Sequence, residues 1–232
     1  MNGKPKGALL VWMDIESGHE EDFDHWYNRQ HLFERIAVPG FLTGRRWQAV
    51  SGTPQFLATY ETAALETLQG EEYLRRLENP TPWTLRVMPR FRNTIRGVCA
   101  ITARCGSGTG GCIATLRLSP AAAQREPLRH WASDQGLPHS VKLPGIMSAY
   151  VCESIQSGAS RARTAEQELR REPDRNIDWV ILIEGTSEAA VEDAAGRLRL
   201  AAEQSAGIAN WGADGGVYRF LCGVVPSDAG LE

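Results

Sequence analysis

The chain opens on an alternating pattern. Over residues 8–15, Leu9, Val11, Met13 and Ile15 fall on one face while Leu10, Trp12 and Asp14 fall on the other. That period of two predicts a strand with apolar side chains on both faces. The period then changes. Phe23, Trp26, Tyr27, Gln30, Phe33 and Ala37 recur at helical spacing and form one stripe of a helix ending near Val38. Ser17 and Glu20 have the spacing of a capping box at its start. Pro39-Gly40 ends it, since proline cannot continue the helix and glycine accepts a turn. Strands are predicted over 41–50 and 55–61, a second helix over 63–77, and a last strand over 90–103.

The same order returns further along. Strands are predicted over 113–118, 146–154, 179–185 and 217–225, and helices over 127–141 and 188–206. At one constant offset Leu9, Val11 and Met13 match Ala114, Leu116 and Leu118. Trp26 matches Trp131, Gln30 matches Gln135, and Pro39-Gly40-Phe41 matches Pro144-Gly145-Ile146. The pattern reads as an internal repeat. Its halves are 1–104 and 112–232, joined by a glycine-rich linker at 105–111, with an Arg- and Glu-rich insertion at 156–175. Gly106, Gly108 and Gly111 spell G-x-G-x-x-G, but a strand comes next where a dinucleotide site needs a helix.

The class is therefore α+β, with two tandem ferredoxin-like βαββαβ repeats. A four-stranded sheet with helices on one face leaves its other face bare. Leu10 and Trp12 are too apolar to leave there at about 25 cal/mol per Å². The second copy supplies the cover, giving sheet-to-sheet packing as one eight-stranded barrel whose interior has room for a small ligand.

Composition narrows the partners. Net charge is −3, with 25 Lys and Arg against 28 Asp and Glu, so no positive field attracts nucleic acid. No apolar run is long enough to span a bilayer, and no secretory signal pattern is present, so the expected location is the cytoplasm. The five cysteines form no C-x-x-C pair and read as reduced thiols. No metal site is expected. His25, His31, His130 and His139 are conceivable haem ligands by type alone, but without an attachment motif the expectation is no cofactor.

The run Asp22-Phe23-Asp24-His25-Trp26-Tyr27-Asn28-Arg29-Gln30-His31, then Val38-Pro39-Gly40-Phe41 and Arg45-Arg46-Trp47, resembles the dimeric α/β-barrel superfamily and its EthD-like members. The resemblance is good over 8–62 and rests mainly on element order beyond. It implies that His31 takes the position of the family's helical His, and Trp26 and Tyr27 its aromatic pair. The second half has Ala132 and Gly136 where Tyr27 and His31 would recur, so one site per chain is implied. The superfamily includes monooxygenases, isomerases and haem enzymes, so the resemblance fixes fold better than chemistry.

The candidate catalytic residues are His31, as a general base, and Asp14, at a strand end beside an apolar space. Trp12, Tyr27 and Trp47 are candidates to shape a pocket. Arg45 and Arg46 are candidates to hold an anionic group, with at most one facing inward. The expected partner is a small apolar or aromatic molecule, and further pairing into a homo-oligomer is compatible with the strand edges. Two functions fit. One is a cofactor-independent isomerase, cyclase or monooxygenase acting on a small aromatic or carbonyl compound. The other is a non-catalytic ligand-binding or assembly protein.

Overall fold

The computed structural model describes residues 5–155, 163–207, 211–212 and 215–230. In the first half, β1 (Gly7–Ile15) lies between β3 (Phe56–Thr62) and β4 (Phe91–Gly106), and β3 pairs with β2 (Phe41–Gly52). In the second half, β5 (Cys112–Leu118) lies between β8 (Trp179–Gly185) and β9 (Gly216–Val224), and β8 pairs with β6 (Ile146–Ser154). Taken in chain order, both halves have the strand order 4-1-3-2.

The two sheets join at both edges. β2 pairs antiparallel with β9, placing Arg46 opposite Cys222, and β4 pairs antiparallel with β6, placing Cys105 opposite Ala149. Eight antiparallel strands thus close into a barrel, which leaves none of the eight with a free ladder edge in the ring. The short β7 (Arg175–Asn176) adds to β4 in parallel outside the ring.

Period-two alternation sorts the core into three parts. Ala8, Leu10 and Trp12 point into the barrel with Trp47, Tyr150 and Tyr218. Leu9, Val11 and Met13 point outward under the first half's helices, and Ala114, Ile181 and Ile183 do the same under the second's. The sheet thus has no bare face, which meets the covering requirement posed by Leu10 and Trp12.

The helices depart from expectation in identifiable ways. The first is α1 (Glu20–Trp26), a π turn at Tyr27–His31, and α2 (Leu32–Ile36). Its capping box does not form: His19 is the N-cap, and Glu20 Oε2 instead accepts from Gly18 N–H at 2.8 Å. The second predicted helix, 63–77, is broken at the extended Gly70 into a 3-10 turn at Leu65–Gln69 and α3 (Glu71–Glu78), and a further helix, α4 (Pro82–Val87), comes after its predicted end. In the second half, α5 (Ala122–Trp131) starts before Pro127, which sits inside it and forfeits one backbone hydrogen bond. A π turn at Ala132–Gly136 and α6 (Leu137–Ser140) come after it. Residues 163–175 of the insertion contain α7 (Ala165–Glu168), and 156–162 lie outside the described residues. α8 (Glu188–Ala206) covers the second half's sheet with α5, as predicted. All five cysteines are free.

Candidate active site

The site grows from the stripe on the first helix. Phe23, Trp26 and Tyr27 are buried against the outward face of the first half's sheet. Trp26 Nε1 donates to Thr84 Oγ1 of α4 at 3.2 Å, so the indole is fixed at both ends. His31 lies five positions later. Residues five apart diverge on an α-helix, but a π turn closes its hydrogen bonds across that interval. The turn at Tyr27–His31 brings the imidazole flat against Trp26, with centroids 4.1 Å apart and planes at 28°. Tyr27 meets the same imidazole edge-on at 5.1 Å.

His31 is 5% exposed and lines a small cavity between this helix and the sheet. Tyr60 comes from β3, Tyr73 from α3, Arg35 from α2 and Arg96 from β4. Glu166 and Arg170 complete the wall from the insertion. Arg35 Nη2 pairs with the Glu166 carboxylate, and both side chains are buried. Among the described residues, three buried polar atoms of residues on this wall have no hydrogen-bond partner: His31 Nδ1, Tyr60 Oη and Arg170 Nε. Burying such atoms unpaired costs about 1–3 kcal/mol each, so their convergence marks a polar-group site. The cavity measures about 30 Å³, room for about two water-sized groups.

Electrostatics define the site's protonation. Burial pushes the His31 pKa well below its usual 6.5, and the cations Arg35, Arg170 and Arg46 push the same way. The imidazole is neutral at pH 7. Burial raises Tyr27 to about 12 and Tyr60 well above its usual value, so both phenols keep their protons. A neutral base facing phenols and guanidiniums suits proton removal with charge developing on oxygen.

The His31 shift has a stability consequence. The unfolded imidazole takes up a proton near pH 6.5 while the folded one refuses it. Stability from this group is therefore complete above pH 6.5 and drains as pH falls toward the folded value. The slope approaches about 1.4 kcal/mol per pH unit for one proton. Urea titrations between pH 6.5 and 5 should show that slope, and His31→Gln should flatten it; an equal slope in the variant would contradict the burial of a neutral imidazole.

The other expected site residues go elsewhere. Trp12 and Trp47 are fully buried inside the barrel, on the opposite sheet face from His31, so one pocket cannot hold all three. Trp47 Nε1 donates to Thr59 Oγ1 at 3.0 Å, and Arg117 lies over the Trp12 ring. Asp14 uses both oxygens structurally, accepting from Gln55 N–H at 2.6 Å and Asn93 Nδ2 at 2.8 Å. Arg45 faces the barrel and donates twice to Glu184, at 3.0 and 2.9 Å. Arg46 faces the helices, bonds Asp24 and Asn28, and stacks 4.4 Å over Tyr27. Both arginines already hold protein partners.

Sequence reading missed Tyr60, Tyr73, Glu166 and Arg170, while Arg35 was legible as a helical neighbour of His31 and Arg96 as one of three arginines on a face of the last strand. Tyr60 had a signal, because Phe56, Ala58 and Tyr60 share the outward face of β3. Glu166 had none, being 131 residues from its partner Arg35. In the second half, Gly136 stands where His31 would recur. A Cβ there would meet the Trp131 ring at 2.8 Å, so a side chain at 136 has no room while that ring stays in place.

No protein-family profile matches the sequence, and no curated protein matches it. Solved structures do match. An anthrone oxidase-like protein covers 98% of this chain and 96% of its own, with TM-score 0.57 and 14% identity. A protein of Lactobacillus acidophilus, provisionally assigned as a monooxygenase, covers 96% and 97%, with TM-score 0.58 and 9% identity. A heme-binding protein of Thermus thermophilus covers 95% and 92%, with TM-score 0.51 and 12% identity. The chain has the dimeric α/β-barrel fold. At these identities the likeness carries the fold, and the chemistry has to come from the residues.

Haem can be tested against them. His31 is the one buried histidine among the described residues, and it is pressed flat on Trp26 beside a cavity of about 30 Å³. The residues around His31 do not form a haem pocket. Among the described residues no cluster of His, Cys, Asp or Glu is arranged to hold a metal, and no helix is long and apolar enough to cross a membrane.

Proposed function

We propose that the protein is a cofactor-independent enzyme acting on a small aromatic carbonyl compound, of the monooxygenase, isomerase or cyclase type. The site is built mainly on the first half, with Glu166 and Arg170 reaching it from the insertion, and the rest of the second half mainly completes the barrel. The observation that carries this reading is His31, with its buried Nδ1 unbonded among the described residues, on a cavity that Tyr60 and Arg170 also line. His31 takes a proton from an acidic C–H or O–H group of the substrate. Tyr60 and the neighbouring guanidiniums stabilise the resulting oxyanion, a role in which fixed donors in a dry site are strong. The EthD-like pattern around Trp26, Tyr27 and His31 and the anthrone oxidase-like and monooxygenase-type neighbours agree with proton removal followed by attack on oxygen. Substrate binding enlarges the cavity by displacing the segment 163–174 that covers it.

Anthrone is a suitable probe because removal of its acidic C–H proton gives a delocalised anion. That anion adds to dioxygen; one oxygen atom stays on carbon as the quinone carbonyl, and the other leaves as water. Oxygen uptake above the spontaneous rate is the expected result. His31→Ala should lower it by about 10²–10⁴ with an unchanged circular dichroism spectrum. A folded His31→Ala variant with undiminished uptake would remove His31 from the mechanism.

A further inference from the structure

The segment 163–174 leaves the second half of the chain and ends in the helical layer of the first. Its buried residues are Thr164, Glu166 and Arg170, all polar or charged, and Leu169 alone adds partly buried apolar packing. A cover serving only to seal a core would bury apolar atoms, because a buried ion pair gains little over a hydrophobic replacement of the same shape. Here the deepest contact is the Glu166 carboxylate on Arg35.

The segment also stands between two spaces. On one side is the cavity beside His31. On the other is a more open pocket of about 160 Å³, lined by Leu68, Leu74, Val98 and Thr164. The two share Tyr73, Leu77, Arg96 and Gln167, so the side chains of 164–167 form part of the partition. Arg96 donates to Tyr73 Oη at 3.2 Å and makes no ion pair among the described residues.

We propose that Arg35 is the anchor of a carboxylate-binding site for a small aromatic acid, and that Glu166 is the internal surrogate which that acid displaces. The proposal rests on the reading of the His31 cavity as the ligand site and adds a carboxylate to the aromatic carbonyl class; anthrone, which has none, reports the reaction and not the anchor. A guanidinium presents a planar fork matched to a carboxylate. Exchange of one carboxylate for another never leaves Arg35 buried and unpaired, so the cover can lift without stranding a charge. Tyr27, Tyr60, Tyr73 and Phe91 supply walls for an aromatic body. Arg96, at the boundary, supplies a second cation on the path inward. The unbonded polar atoms of His31 and Tyr60, which do not lie on the lifting segment, face the acid's other substituents.

Benzoate tests this directly by titration calorimetry on the full chain. Wild-type protein should bind it weakly, because Glu166 competes. Glu166→Gln should bind it about tenfold tighter or better, and benzoate should raise the melting temperature of that variant. Arg35→Met should abolish binding, and neutral benzamide should not substitute. Glu166→Asp, which keeps the charge but shortens the reach, should fold and show an intermediate gain. If Glu166→Gln folds only when benzoate is present, that rescue supports the exchange. A folded Glu166→Gln or Glu166→Asp with no gain in affinity, or benzamide binding as well as benzoate, overturns it. Flat benzoate titrations with His31-dependent anthrone oxidation would defeat the carboxylate anchor alone. Benzoate binding without any oxidation would defeat the proposed reaction and support the anchor.

Discussion

Trp26→Ala should destabilise the protein by about 3–5 kcal/mol, the range for truncating a large aromatic in a packed core. The indole is fully buried and lies against Tyr27, His31 and Phe91, at 4.9, 4.1 and 6.0 Å between centroids. Its loss removes the surface on which the imidazole rests and leaves a cavity the π turn cannot easily refill. Thr84 keeps its contact with Thr81 at 3.0 Å, so the lost hydrogen bond adds little. Trp131→Ala should cost less, since that ring is 8% exposed and packs on glycine. Urea unfolding at unchanged m-value measures both; a Trp26→Ala midpoint equal to wild type would contradict the core assignment.

Glu184→Ala should cost about 3 kcal/mol, the low end for breaking a buried pair by removing one member. Glu184 is 2% exposed, and besides Arg45 it accepts from Tyr150 Oη at 3.1 Å. Truncation orphans that hydroxyl and strands Arg45 inside the barrel. The estimate sits low because the Arg45 side chain is 14% exposed and Glu61 remains 3.9 Å from it. Replacing both members, as Arg45→Met with Glu184→Leu, should recover most of the loss, because the charge and its counter-charge leave together. A double variant as unstable as Glu184→Ala would mean that shape, and not the stranded guanidinium, sets the cost.

Much of this architecture was legible in local periodicity. The two faces of β1 separate in the structure as Leu9 and Val11 separate from Leu10 and Trp12 in the sequence. The strands Ile146–Ser154 and Trp179–Gly185 and the helix Glu188–Ala206 begin and end where their patterns do. Trp26 and Trp131 each stand immediately before a π turn. Three things were hidden. The π turns leave the apolar spacing nearly unchanged while rotating the rest of the helix, so the stacking of His31 on Trp26 had no local sign. Inward-facing Trp12 and Trp47 suggested a barrel pocket, but whether the interior fills depends on Tyr150 and Tyr218 from the other half. Arg35 and Glu166 meet only through the tertiary path of an insertion whose mixed charges resemble any solvated loop.

Closure of the ring through the β2–β9 and β4–β6 seams has a consequence for how this protein behaves and diverges. A ring assembled from two identical chains falls apart on dilution, and every change in its sequence appears twice. Here a peptide tether holds the partners together, so the unfolding midpoint is independent of protein concentration for the single chain. The two halves can also differ position by position, as His31 in the first and Gly136 in the second do.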